Sequence, residues 1–246
     1  MNLMEIKDQF DPLLRQIIKK QKKVAIIPVG SIEQHGAHLP LSTDSDIVSE
    51  ISRRVSEKCD FVLLPTMTYG VSFEHSPFFN LSVNGSTLQK LLVEICLSLL
   101  SNNIKTIFII NGHYGNQKSI QCLPQILAKS TRKKLRVFVL PYWHFMSKPF
   151  DHAGFVETSL MLAISKKVKM KKAKKGLVTD RLSHQKVAIL KKHASKSFVK
   201  VAKTGVWGDP TSATAREGIK ILSEIIENLV KKCQTCLTDK NRKLHQ

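Results

Sequence analysis

Four short apolar runs rich in β-branched residues recur along the chain, at 23–29 (KVAIIPV), 61–65 (FVLLP), 105–110 (KTIFII) and 135–141 (LRVFVLP). Each is followed by a turn containing Gly, Pro or Asn and then by a longer segment of helical periodicity, so the runs read as strands buried on both faces. The helical segments are 45–57, 86–102, 116–130 and 154–166, with a last helix at 212–232 ahead of a polar tail. Strands alternating with helices specify an α/β sandwich around a largely parallel sheet. Ligands of open α/β sheets bind beyond the carboxyl ends of the strands, so the polar residues after each run are the ones to read for chemistry.

Those positions are rich in metal-binding side chains. The first run is followed by GSIEQHGAHLPLSTD (30–44), in which Glu33 and His35 are two apart and share a side in an extended loop, with Asp44 following. The third run leads into NGHYGN (111–116), where two glycines let the backbone turn sharply and present His113. After the fourth come Asp151, His152 and Glu157 (DHAGFVETS, 151–159), at a helix start. Carboxylates with imidazoles suit Zn²⁺, Mn²⁺ or Fe²⁺, and an Asp can bridge two ions with its two oxygens. Any one of these residues read alone is a cap or a turn residue, and Thr43 and Asp44 are equally placed to cap the helix near Ser45. Three clusters at three strand ends have the composition of a two-metal hydrolytic site.

The 246 residues, 42% hydrophobic and 24% charged, are enough for one domain with one sizeable core. The first thirty residues carry acids and bases throughout and no run nears the roughly 20 apolar residues of a membrane span, so a cytoplasmic protein without a membrane partner is expected. The cysteines are odd in number and scattered, which is no disulfide framework. Cys233 and Cys236 form a C-x-x-C without a second pair or a preceding strand, and are not read as a zinc or redox motif. Of the net charge of +20, +13 falls within 166–203, an expected insertion or exposed excursion with Gly176 and TGVWGDP (204–210) as its breaks. Such a stretch raises a rival reading, a nucleic-acid-binding protein with a vestigial metal site. Phe198 is its one aromatic residue, which gives bases little to stack on and argues against that partner.

Four segments, GSIEQHGAHLPLSTD (30–44), NGHYGN (111–116), HAGFVETS (152–159) and GVWGDPTSATAREG (205–218), together resemble the creatininase (creatinine amidohydrolase) family, in family order. The resemblance implies a three-layer α/β/α sandwich, a binuclear centre of two divalent metal ions, hydrolysis of a non-peptide or cyclic amide C–N bond, and a homo-oligomer, commonly a hexamer. Carried over by position, Glu33, Asp44 and His113 resemble the ligands of one metal, with His35 and the bridging Asp44 on the second. Creatinine-hydrolysing members have a Glu two residues after the motif His, where this chain has Gly115. Glu157 is the expected replacement ligand. His152 resembles the substrate-contacting histidine and is the expected general acid for the leaving nitrogen. Tyr114 matches the creatinine-hydrolysing type, and with His75 and Asp151 it completes the expected substrate contacts. His38 is expected to order the loop through a hydrogen bond. Glu74 and His75 lie in a substrate-side loop where Phe-Phe-Asn replaces the usual Pro-Gly-Thr, and Trp143 and Phe150 either wall the pocket or pack.

Within the family three substrates stand open: creatinine or another cyclic amide, a formamidopyrimidine ribonucleotide losing its formyl group in riboflavin and deazaflavin synthesis, and a short peptide processed for a redox cofactor. Gly115 speaks against the first, and the lysine excess suits a phosphorylated small-molecule amide, so the deformylase is favoured. A charge run such as 166–203 is expected to be a solvated, partly helical surface; the functional alternative is that some of it reaches the pocket mouth, from its own or a neighbouring subunit, and attracts an anion by its field, with Lys171, Lys172, Lys174 and Lys175 as the group to neutralise.

Overall fold

The computed structural model describes residues 4–239. Five parallel strands, β1 (Met4–Glu5), β2 (Ala25–Val29), β3 (Val62–Leu63), β4 (Thr106–Asn111) and β5 (Arg136–Pro141), form one sheet in the order β1-β3-β2-β4-β5. Successive side chains of a strand point to opposite faces, and here both faces are apolar. Ile26, Phe108 and Ile110 pack on one side against α2 (Thr43–Cys59), α6 (Phe155–Ile164) and α9 (Ala215–Thr238). Ala25, Ile27, Val29, Ile107 and Ile109 pack on the other against α1 (Leu13–Gln21), α3 (Gly85–Ser101) and α5 (Leu123–Ser130). The result is the three-layer α/β/α sandwich implied by the resemblance. Phe108 sits between Phe61 and Phe138, with ring centroids 5.7 and 5.1 Å away; truncating such a ring costs about 3–5 kcal/mol.

Departures from the expected elements have local causes. The segment 116–130 is two helices, α4 (Gln117–Ile120) and α5, because Pro124 near the start of α5 has no N–H to give and its ring would meet the carbonyl of Ile120 in a continuous helix. The strand expected over 61–65 shortens to Val62–Leu63 ahead of Pro65. Two residues, Met4 and Glu5, add an edge strand too short to give a periodic signal. The Lys-rich stretch contains two helices, α7 (His184–Ala194) and α8 (Phe198–Val201), whose Ala194, Phe198 and Ala202 bury against Trp207 in a small cluster of their own. Cys233 and Cys236 lie on α9, and Cys233 is buried against the core. Among the described residues no helix is long and apolar enough to cross a membrane.

Candidate metal centre

Every chemistry-bearing segment leaves the carboxyl end of a strand. The loop after β2 carries Glu33 and His35 inward, both wholly buried, and delivers Asp44 on the first turn of α2. Neither Thr43 nor Asp44 caps that helix: the Thr43 hydroxyl donates to the Pro40 carbonyl, and both Asp44 oxygens face histidines. After β4, Gly112 passes so close to α2 that a Cβ there would stand 2.8 Å from the Asp44 carbonyl and 2.7 Å from Val48. This approach sets His113 beside Asp44. After β5 the chain turns through Tyr142–Phe145 and reaches α6, which carries Glu157.

The side chains converge on Asp44. His35 Nε2 lies 3.2 Å from its Oδ1 and His113 Nδ1 lies 2.9 Å from its Oδ2. His113 Nε2 is 3.2 Å from Glu33 Oε2, and His35 Nε2 is 3.6 Å from Glu157 Oε2. On the cavity side of Glu33, His75 Nε2 is 3.1 Å and His152 Nδ1 3.8 Å from its Oε1. The rings of His35, His152 and His75 follow one another at centroid separations of 4.2 and 4.8 Å. Gln34 holds that row: its Nε2 approaches His75 Nδ1 at 2.9 Å and His152 Nε2 at 3.1 Å, while its Oε1 accepts from the Gly36 N–H.

Burial sets the electrostatics. It pushes the Glu33 carboxyl well above the usual carboxylate range and the Glu157 carboxyl up to about 8. Burial also works against charged imidazoles, but for His35 the Asp44 carboxylate outweighs it and for His113 Glu33 and Asp44 do, raising each to about 10. Asp44, against the pull of burial, is held well below its usual range by His35 and His113. His152 and His75 go the other way: burial, reinforced by the neighbouring histidines, keeps His152 neutral and lowers His75 to about 3.

The donor set fits cations. Both oxygens of Glu33 and Oδ2 of Asp44 are buried from water, where a carboxylate oxygen needs compensation, and the groups nearest to them are imidazole nitrogens at 2.9–3.2 Å. Three groups of ligand atoms, Glu33 with His35 and Asp44, Glu33 with His75 and His152, and His35 with His152 and Glu157, each lie within 4.8 Å of one another. Oxygen and imidazole nitrogen together match borderline divalent ions.

The cluster opens into a cavity of about 620 Å³. His75 and His152 face it, as does half-exposed Tyr114. Asp151 borders it too, but its oxygens accept the backbone N–H groups of Val156 and Glu157, so it anchors the start of α6 beneath the Glu157 side chain. His38 bonds Thr158 Oγ1 at 2.9 Å, which ties the loop of Glu33 and His35 to α6. Phe150 walls the cavity and Trp143 stacks behind it at 4.8 Å. Lys171, Lys172, Lys174 and Lys175 are exposed and do not line it; Lys191 and Lys196 of the same stretch do. Gln34 and Phe198 escaped the sequence reading. The signal for Gln34 was its place between Glu33 and His35, and for Phe198 its being a lone aromatic among lysines; its ring covers His75 and His152 at 4.6 and 4.7 Å.

Known proteins share this chain's pattern. The family model of Creatininase, described as creatinine amidohydrolase, matches residues 12–233. The mycofactocin precursor peptide peptidase of Mycolicibacterium smegmatis is 32% identical over 231 residues, covering 89% of this chain and 87% of that protein. The 2-amino-5-formylamino-6-ribosylaminopyrimidin-4(3H)-one 5'-monophosphate deformylase of Methanocaldococcus infernus is 27% identical over 221 residues, covering 86% and 91%. Among solved structures, one described as the manganese form of creatininase has a TM-score of 0.81 at 20% identity, over 95% of this chain and 98% of that one.

Proposed function

The chain belongs to the creatininase family, and from that premise we propose that it is a binuclear metal-dependent amidohydrolase, favoured as a deformylase of a formamidopyrimidine ribonucleotide. The observation that carries the hydrolytic reading is the buried set of carboxylate oxygens on Glu33 and Asp44, faced by the imidazole nitrogens of His35, His75 and His113. Glu33, Asp44 and His113 would hold one divalent ion, zinc, manganese or iron, and His35, Asp44 and Glu157 a second. Bound there, such ions polarise an amide carbonyl and lower the pKa of water.

The chain's own groups supply the rest. His152 is neutral and its Nε2 is engaged by Gln34, leaving Nδ1 toward Glu33 and the cavity. A neutral imidazole in that position takes the proton of the attacking water and passes it to the departing nitrogen, acting as base and then as acid. Gln34 fixes its ring, and Phe198 screens it from bulk water. Tyr114 and Phe150 give the substrate an apolar wall. Assembly into a homo-oligomer belongs to the same reading, and the exposed rings of Tyr69, Phe73 and Phe79 support it.

A second reading is hydrolysis of a short peptide, favoured by the greater identity to the mycobacterial peptidase. Metal-reconstituted protein offered the formylated pyrimidine ribonucleotide, creatinine and a short peptide separates them. Release of formate from the first alone is expected; turnover of the peptide alone would replace the deformylase, and turnover of none would remove the hydrolytic reading.

A further inference from the structure

The cavity is larger than the hydrolysis of one amide requires. At about 620 Å³ it matches sites that enclose a drug-sized molecule, while Glu33, Asp44, His113 and Glu157 occupy only its buried floor. Its lining includes three exposed lysines from two separate parts of the chain: Lys118 on α4, and Lys191 and Lys196 at and beyond the end of α7. Among the described residues none of the three lies within 4.0 Å of a carboxylate, whereas Lys167 and Lys175, elsewhere on the basic stretch, pair with Asp46 and Asp209. The hydroxyl-bearing residues Ser119 and Ser195, next to Lys118 and Lys196 in the chain, line the cavity as well.

Three ammonium groups lining one cavity, with no carboxylate among the described residues paired to them, make its interior attractive to an anion. A lysine near a helix C-terminus also complements the helix dipole, which accounts for Lys191 but not for Lys118, on a separate short helix. We propose that this lining forms an anion subsite: the substrate carries a phosphate or a carboxylate, held by Lys118, Lys191 and Lys196, while its amide lies over the carboxylate–histidine floor. The subsite rests on the reading that this floor hydrolyses an amide. It makes α7 and the residues after it a specificity element, since the segment that brings Lys191 and Lys196 also brings Phe198 over His75 and His152.

The test uses metal-loaded protein and three matched probes: para-formamidophenyl phosphate, para-formamidobenzoate and the uncharged para-formamidophenol. Binding by calorimetry at low salt is expected to favour at least one anionic probe by about tenfold or more, the worth of one charge-assisted hydrogen bond. In the Lys118→Gln/Lys191→Gln/Lys196→Gln variant, matched for metal content, that ratio is expected to fall to about one. The Lys171→Gln/Lys172→Gln/Lys174→Gln/Lys175→Gln variant removes more charge outside the cavity and is expected to keep the ratio. The anion that loses more affinity in the triple variant identifies the substrate group. No preference in the unaltered protein, a preference surviving in the triple variant because the anion sits on the metals, or equal loss in both variants would each overturn the subsite. A lysine-dependent preference without turnover of any probe would leave the subsite and remove the hydrolytic reading, and equal kcat/KM for all three probes would do the reverse.

Discussion

Gly115 stands where a side chain would displace the carboxylate of Glu74: a Cβ at position 115 would lie 2.7 Å from Glu74 Oε1. The same Cβ would lie 2.5 Å from His113 Nε2 and would overlap the Val71 carbonyl. The glutamate that creatinine-hydrolysing relatives are expected to carry at this position is therefore absent, and the space is taken by a carboxylate from another loop, largely buried and facing His113 at 4.0 Å. Gly115→Ala is expected to cost about 1–3 kcal/mol, as overpacking does, and to weaken metal retention through His113. Thermal melts with metal analysis check both, and an unchanged melting temperature with full metal content would show that the loop after β3 yields without cost.

Two divalent ions per chain are expected when the protein is purified without chelator and reconstituted with zinc, manganese or iron. Elemental analysis gives the stoichiometry. A value that stays near one would remove the bridging role of Asp44, whose oxygens face His35 and His113 on opposite sides.

His152→Ala is expected to keep its metal and lose turnover by about 10²–10⁴-fold, the range of positioned proton transfer, whereas His35→Ala is expected to lose both. His152 itself offers a nitrogen to two of the three candidate groups. If His152→Ala released metal as His35→Ala does, its role would pass from proton carrier to ligand.

Metal binding is expected to displace protons. In the metal-free protein His35 and His113 are raised to about 10, so both are imidazolium at pH 8, and ligating imidazoles must be neutral. The sign follows: affinity for the metal rises with pH. The stability these pairs give the metal-free protein is complete below about pH 6.5, the ordinary histidine value, and is lost as pH climbs toward 10. Calorimetric titration in two buffers of different ionisation enthalpy at pH 8 should register at least two protons released per chain loaded, those of the two imidazoliums with a further share from Glu33 and Glu157, whose carboxyls burial raises; a count of zero would mean that neither imidazolium lies in the ligand set.

The layered fold was legible because a strand buried on both faces leaves an unmistakable trace. The stretches 24–29, 107–110 and 137–141 are apolar at every position, whichever face each side chain takes. Glu33, His35, Asp44, His113, His152 and Glu157 were legible for a related reason, since strand ends collect polar groups that no core would accept. What the sequence by itself left open was decided by contacts between residues far apart in the chain. Whether Asp44 caps a helix or joins a cluster turned on His113, 69 positions away and brought beside it by the close approach at Gly112. Of thirteen lysines in 166–203, Lys191 and Lys196 reach the cavity because α7 and α8 bury Ala194 and Phe198 against Trp207, and only that packing sets which face of the segment turns inward. Local pattern records which residues avoid water; the partner each polar group finds depends on the meeting of distant segments, and these were brought together by burial of the apolar residues around them.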